Sequence, residues 1–125
     1  MRFPVIALLV VVLIAGCDNN RAEKTERVRN LSQPELAEIF ARLDELQRKG
    51  APSNLSSQQI PPVVARLKPE GVVIRDNSAW IHIAGVFDDK VYVFVNGLGG
   101  AQADGEIVLS PGEREPQEVL WRQPR

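Results

Sequence analysis

The sequence is short of the residues that a metal site or a disulfide needs. Its 125 residues hold one cysteine, Cys17, and one histidine, His82. A lone cysteine excludes a disulfide within the chain. One histidine beside it leaves too few nitrogen and sulfur donors for an ordinary zinc or copper site. No cofactor is expected. An excess of one charge is also missing: 15 basic and 16 acidic side chains give a net charge of -1. Without a basic face to displace counterions, nucleic acid is not an expected partner. Nor is there an apolar run of ~20 residues, the length that spans a bilayer. The longest, "FPVIALLVVVLIAG", covers 14 residues, 3–16.

That run follows Met1 and Arg2 and stops abruptly at Cys17. The next stretch, "DNNRAEKTERVRN", has no apolar residue except Ala22 and Val28. A charged start, a short apolar stretch and small residues at its end are the organisation of a signal peptide. In an oxidising exported space a single thiol is an odd reactive group, and it calls for an explanation.

Leu13-Ile14-Ala15-Gly16-Cys17 supplies one. It resembles the lipobox of bacterial lipoproteins, with an aliphatic residue three before the cysteine and two small residues directly before it. The resemblance implies diacylglycerol joined to the Cys17 sulfur, cleavage after Gly16, and acylation of the new amino terminus, palmitate included. The lipid bilayer is then a partner through acylated Cys17. Each buried methylene contributes ~0.8 kcal/mol, so two or three chains hold firmly where one holds marginally. Asp18 and Asn19 follow the cysteine. In lipoproteins of enteric bacteria an aspartate there marks retention at the inner membrane. The resemblance thus implies the periplasmic face of the inner membrane, with the outer membrane as the alternative. An uncleaved anchor helix with an incidental cysteine is the plainer reading of the same residues.

Three regions are expected: a leader over 1–16, the lipidated cysteine and a flexible tether over 17–30, and a small domain over 31–125. The tether assignment rests on polarity and mixed charge, which leave little to bury; Glu23 and Arg27, four apart, also allow it to be partly helical. The domain opens with a well-punctuated helix over 33–49. Ser32 and Glu35 form a capping box, and Leu31 with Leu36 a hydrophobic staple. Pro34 sits in the first turn. Leu36, Ile39, Phe40, Leu43 and Leu46 recur at helical spacing. Glu38 with Arg42, Asp44 with Arg48 and Glu45 with Lys49 are pairs four apart. Gly50 supplies the stop. "APSNLSSQQIPP" reads as a loop, and "PPVVARLK" as a short helix.

The period then changes from 3.6 to two. "VVIRD", "AWIHIAG", "KVYVFVN", "EIVL" and "EVLWR" read as strands parted by turn residues. Trp80, His82 and Ala84 share one face, and Ile81 and Ile83 the other. Short connections favour antiparallel neighbours. The fold class is therefore α+β: an N-terminal helix and a short second helix packed on a four- to five-stranded antiparallel meander. The run "LKPEGVVIRDNSAWIHIAGVFDDKVYVFVNG" is also similar to a segment of small uncharacterised proteobacterial periplasmic proteins. Val86 stands where that pattern has another glycine. This likeness implies a fold and no activity.

Candidates for chemistry are few. His82 in a strand suits a general base or a pH-sensitive contact, or a hydrogen-bonded structural role. Asp88 and Asp89 suit paired carboxylates, or ordinary turn chemistry. The loop Gly97–Gly105 lacks the Gly-Lys-Ser/Thr ending of a phosphate loop, and a strand follows it. Its glycines are expected to serve flexibility or positive backbone dihedrals, with a mobile contact role left open. If Val91, Val93 and Val95 face the helices, Tyr92 and Phe94 face outward and need a cover. The carboxy-terminal strand or another protein is the expected cover. Trp80, Tyr92, Phe94 and Trp121 are therefore the candidate interface, since exposed aromatics concentrate binding energy, and some of the four are expected to be core. The expected role is non-enzymatic: an accessory, assembly or inhibitor factor that binds another envelope protein. The alternative is a small envelope enzyme or ligand-binding protein using His82 with Asp88 or Asp89.

Overall fold

Runs of alternating residues become strands because each then buries one edge of its pleat. The computed structural model describes residues 21–85, 90–100, 104–112 and 114–124. The leader, Cys17, Asp18 and Asn19 lie outside them. A helix over residues 21–29, α1, comes first. Then come α2 (Gln33–Arg48), α3 (Pro62–Ala65), β1 (Gly71–Arg75), β2 (Ser78–Ala84), β3 (Val91–Asn96), β4 (Glu106–Ser110) and β5 (Glu118–Arg122). The strands form one sheet in sequence order, each neighbour antiparallel. The molecule is α+β, helices before strands, as the sequence leads one to expect.

The helices cover one face of the sheet. Val72 and Ile74, Ala79, Ile81 and Ile83, Val91, Val93 and Val95, and Ile107 and Leu109 are buried there. They join Leu36, Ile39, Phe40 and Leu43 of α2 and Val63, Val64 and Leu67 around α3 in one core. Burying each such side chain contributes ~1.5–3 kcal/mol, so this face supplies most of the drive to fold.

The start of α2 is capped as its sequence indicates. The Glu35 backbone N–H donates to the Ser32 hydroxyl at 3.2 Å, and the Ser32 N–H donates to the Glu35 carboxylate at 3.0 Å. Arg48 pairs with Asp44 at 2.9 Å and Lys49 with Glu45 at 2.7 Å, as expected. Arg42 departs from expectation and reaches Glu45, three residues on, at 3.6 Å. Helical neighbours at both spacings lie within reach, so the choice is made by local rotamers.

The segment 21–29 is helical, as the Glu23–Arg27 spacing allows, but its docking corrects the expected free tether. It is a helix docked under the sheet, with Val28 only 1% exposed and Lys24 8% exposed. Its polarity misleads because one narrow face, Lys24, Thr25 and Val28, is enough to dock it. The Lys24 ammonium donates to the Ile83 carbonyl at 3.2 Å and lies 3.7 Å from the Glu70 carboxylate. Arg21 donates to the Pro111 carbonyl at 2.8 Å, and Arg29 pairs with Glu118 at 2.9 Å. A lysine stem is apolar enough to bury when its head finds oxygen.

The end of β2 departs from simple alternation. His82 pairs with Tyr92 and Ala84 with Val91, so a bulge falls between them. Ala84 turns into the core instead of sharing a face with Trp80 and His82. The bulge withdraws carbonyls from the ladder, and Lys24 takes that of Ile83.

At the other end of the sheet, the described part of the Gly97–Gly105 loop is pinned. Leu98 is fully buried, and Asn77 holds it by two hydrogen bonds, from the Leu98 N–H at 2.7 Å and to the Leu98 carbonyl at 2.8 Å. The Gly99 N–H donates to Asp44 at 2.6 Å. A Cβ on Gly97 would sit 2.8 Å from the Gly105 Cα, and one on Gly105 would sit 2.5 Å from the Phe40 ring. Close approach thus accounts for these two glycines. The loop before α3 also does more than connect. Leu55 and Ser53 make backbone bonds to Val72 and Ile74 and cover the open edge of β1.

Two outcomes test this account. Gly50 and Gly97 both have positive φ, but a Cβ meets nothing within 4 Å at Gly50. Gly50→Ala should cost about 1 kcal/mol from backbone strain alone. Gly97→Ala should cost about 1–3 kcal/mol more, measured by urea unfolding, because backbone atoms cannot yield. The second concerns acid. Hydrogen bonds from the Ser32 backbone N–H and then its hydroxyl hold the Glu35 carboxyl below its ordinary value. Its contribution is present above the ordinary glutamate range and is lost as pH falls through the lowered folded value. Glu35→Gln keeps the capping geometry and should flatten that part of the acid unfolding curve.

Candidate functional site

The face of the sheet away from the helices carries three rows set by the strand register. The middle row runs Val73, Trp80, Phe94, Val108, Val119 across β1 to β5. A second row is Gly71, His82, Tyr92 and Ser110. A third is Arg75, Ser78, Asn96, Glu106 and Arg122. An apolar row thus lies between two polar ones. Trp80 is 39% exposed and Val119 49%, while Tyr92 and Phe94 are half-buried. Val108 is buried without belonging to the core, so its cover comes from the outer side.

The rings are not laid flat like tiles. His82 and Tyr92 stack with centroids 5.0 Å apart, and Tyr92 and Phe94 with centroids 5.6 Å apart at an interplanar angle of 14°. Coplanar rings would collide at such spacing, so these overlap face to face and stand on the sheet. Trp80 meets Phe94 edge-on at 87°, with the Arg75 guanidinium 5.2 Å from its ring centre. The stacking of His82 on Tyr92 and of Tyr92 on Phe94 occupies ring faces that would otherwise be open. A ridge of stacked rings with a charged fringe suits protein side chains.

His82 is held by the bulge. Its Nε2 lies 3.1 Å from both the Ala84 and the Gly85 carbonyl oxygens. A ring nitrogen facing two acceptors must carry the proton and donate it. Nε2 is thereby occupied, and the imidazole serves to satisfy carbonyls that the bulge freed. Asp88 and Asp89, its suggested catalytic partners, lie outside the described residues. The hollow beside α1, lined by Ala22, Glu23, Glu26, Arg27, Asn30, Leu31 and Glu35, holds mixed charge and none of the aromatic candidates.

The structure brings Trp80, Tyr92 and Phe94 onto one face and separates Trp121 from them. Trp121 is a correction: it is 7% exposed, faces inward, and packs against Phe40 with ring centres 5.1 Å apart. A bulge in β5, between the Ile107–Trp121 and Val108–Val119 pairs, sets this inward position. Sequence reasoning missed Val73, Val108 and Val119, which complete the middle row. The signal was present as strand alternation, but combining five strands needs their register. Cys17, Asp18 and Asn19 lie outside the described residues.

Comparison with family models, curated proteins and solved structures finds no match to the chain. Among the described residues no helix is long and apolar enough to cross a membrane.

The two tryptophans should behave oppositely. Trp121→Ala should lower stability by about 3–5 kcal/mol, as for a large aromatic removed from a core. Trp80→Ala should cost about 1 kcal/mol or less, the scale of an exposed ring contact. Paired urea unfolding curves check both, and equal costs would show that the face assignment is wrong.

Proposed function

We propose that the chain is a lipoprotein on the periplasmic face of the inner membrane, held by acylated Cys17, whose α+β domain binds another envelope protein. The role is that of a non-enzymatic accessory, assembly or inhibitor factor. The observation that carries the binding half is the outer-face row in which Trp80 and Val119 are exposed and Phe94 is half-buried. Half-exposed aromatics between polar rows are the composition of a contact surface. The occupied Nε2 of His82 supports a structural use for the sole histidine. The lipobox resemblance carries the membrane half, and Asp18 carries the choice of membrane.

One experiment tests both halves. Protein taken from native membranes is expected to begin at a Cys17 bearing diacylglycerol and an acylated amino terminus, read by mass spectrometry. Cys17→Ser should leave the leader attached and the protein unacylated. Photo-crosslinking in membranes should give a discrete adduct, reduced about tenfold or more by Trp80→Ala with Phe94→Ala, the scale of ~1.4 kcal/mol or more expected where a hot-spot residue is lost. The same variant should keep a cooperative unfolding transition. An unmodified leader on wild-type protein sinks the lipoprotein reading. An undiminished adduct in the double variant sinks the binding face.

A further inference from the structure

We propose that the domain stands end-on at the bilayer, with the sheet end that carries Gly85, Lys90 and Pro111 towards the lipid, so that the aromatic face stands upright beside the membrane. The inference rests on acylation of Cys17 and adds the orientation of the domain.

α1 is fastened at one end of the sheet. Arg21 is bound to the Pro111 carbonyl, Lys24 to the Ile83 carbonyl and near Glu70, and Arg29 to Glu118. In the register, Gly71 pairs with His82, Ala84 with Val91, Tyr92 with Ser110 and Leu109 with Glu118. All of these positions belong to one end of the sheet. The opposite end holds the Arg75–Ser78 and Asn96–Glu106 pairs and Arg122. The carboxy-terminal part of α2 reaches that far end, where Gln47 donates to the Asp76 carbonyl at 3.1 Å.

The leash is short. Arg21 is four residues from Cys17, and four residues fully extended span about 14 Å. A tether running free to residue 30 would have reached about three times as far, roughly 45 Å. Docking of α1 removes that freedom and fixes the point of attachment to one end. Strands of five to seven residues are about 17–23 Å long. In the upright orientation the far end lies about 20 Å farther from the lipid than the near end.

Lying flat has little to recommend it on the helix side. The exposed positions of α1, Ala22, Glu23, Glu26, Arg27 and Arg29, mix both charges and offer no large apolar side chain to the interface. Lying on the aromatic face would press Arg75, Glu106 and Arg122 against the lipid together with the rings. Standing on the fastened end avoids both and leaves the aromatic face open to a protein neighbour.

The test uses acylated protein purified from membranes. Its only native thiol is taken up by lipid, so an introduced cysteine is the single site for a fluorophore. Lys90→Cys marks the near end, Arg122→Cys the far end of the aromatic face, and Lys49→Cys the far end on the helix side. Each is placed in vesicles of phosphatidylethanolamine and phosphatidylglycerol doped with a headgroup spin-labelled lipid. The label at position 90 should be quenched several-fold more strongly than the other two. Quenching at 122 as strong as at 90 means the sheet lies face-down and overturns the proposal. Equal quenching at all three means no fixed orientation and also overturns it. Protein that lacks acyl chains and does not float with the vesicles removes the lipoprotein reading and the orientation together, whereas floating with equal quenching removes the orientation alone.

Discussion

A sheet has two faces, and this chain supplies helices for one. The apolar stripe of α2, with α3 and the narrow buried side of α1, covers the inner rows. The helices pack on the inner face, so the outer face, where Trp80 and Val119 are exposed, must be tolerable in water. It achieves this by consuming its own apolar surface. His82, Tyr92 and Phe94 stack on one another, and Trp80 meets Phe94 in a T-shaped contact with the Arg75 guanidinium over its ring. Polar rows on either side complete it. What remains exposed is modest, a ridge and not a broad patch. Such a surface tolerates solvent and still offers anchors to a partner, which is the balance a reversible contact needs.

The second organising feature is the bulge at the end of β2. One extra residue turns Ala84 inward and withdraws carbonyls from the ladder. Buried backbone oxygens need donors. Lys24 supplies one to Ile83, and His82 supplies one shared by Ala84 and Gly85. The same irregularity therefore fastens α1 and fixes the imidazole. This links the amino-terminal segment to the strand that carries the aromatic face. A local departure from pairing thus becomes the means by which a polar helix is held.

Much of the architecture was legible in local patterns. The Ser32–Glu35 capping box, the stripe from Leu36 to Leu43 and the stop at Gly50 need only neighbours within a turn or two, and α2 formed as its residues indicate. Alternation placed Tyr92 and Phe94 outward for the same reason. Two kinds of information were not local. The docking of α1 depends on an oxygen 59 residues away in sequence, offered by a bulge that no composition reveals. The burial of Trp121 depends on which way β5 shifts against β4 and on Phe40 waiting opposite.

The sequence by itself determined the order of elements, the two periods and hence a helix-covered antiparallel sheet, because these follow from spacing along the chain. Tertiary structure alone decided that residues 21–29 are fastened, that Trp121 is core, and that Val73, Trp80, Phe94, Val108 and Val119 line up as one row. Each of these depends on pairing between distant segments. A single residue of slip in register moves a side chain from one face to the other, and spacing along the chain does not record that choice.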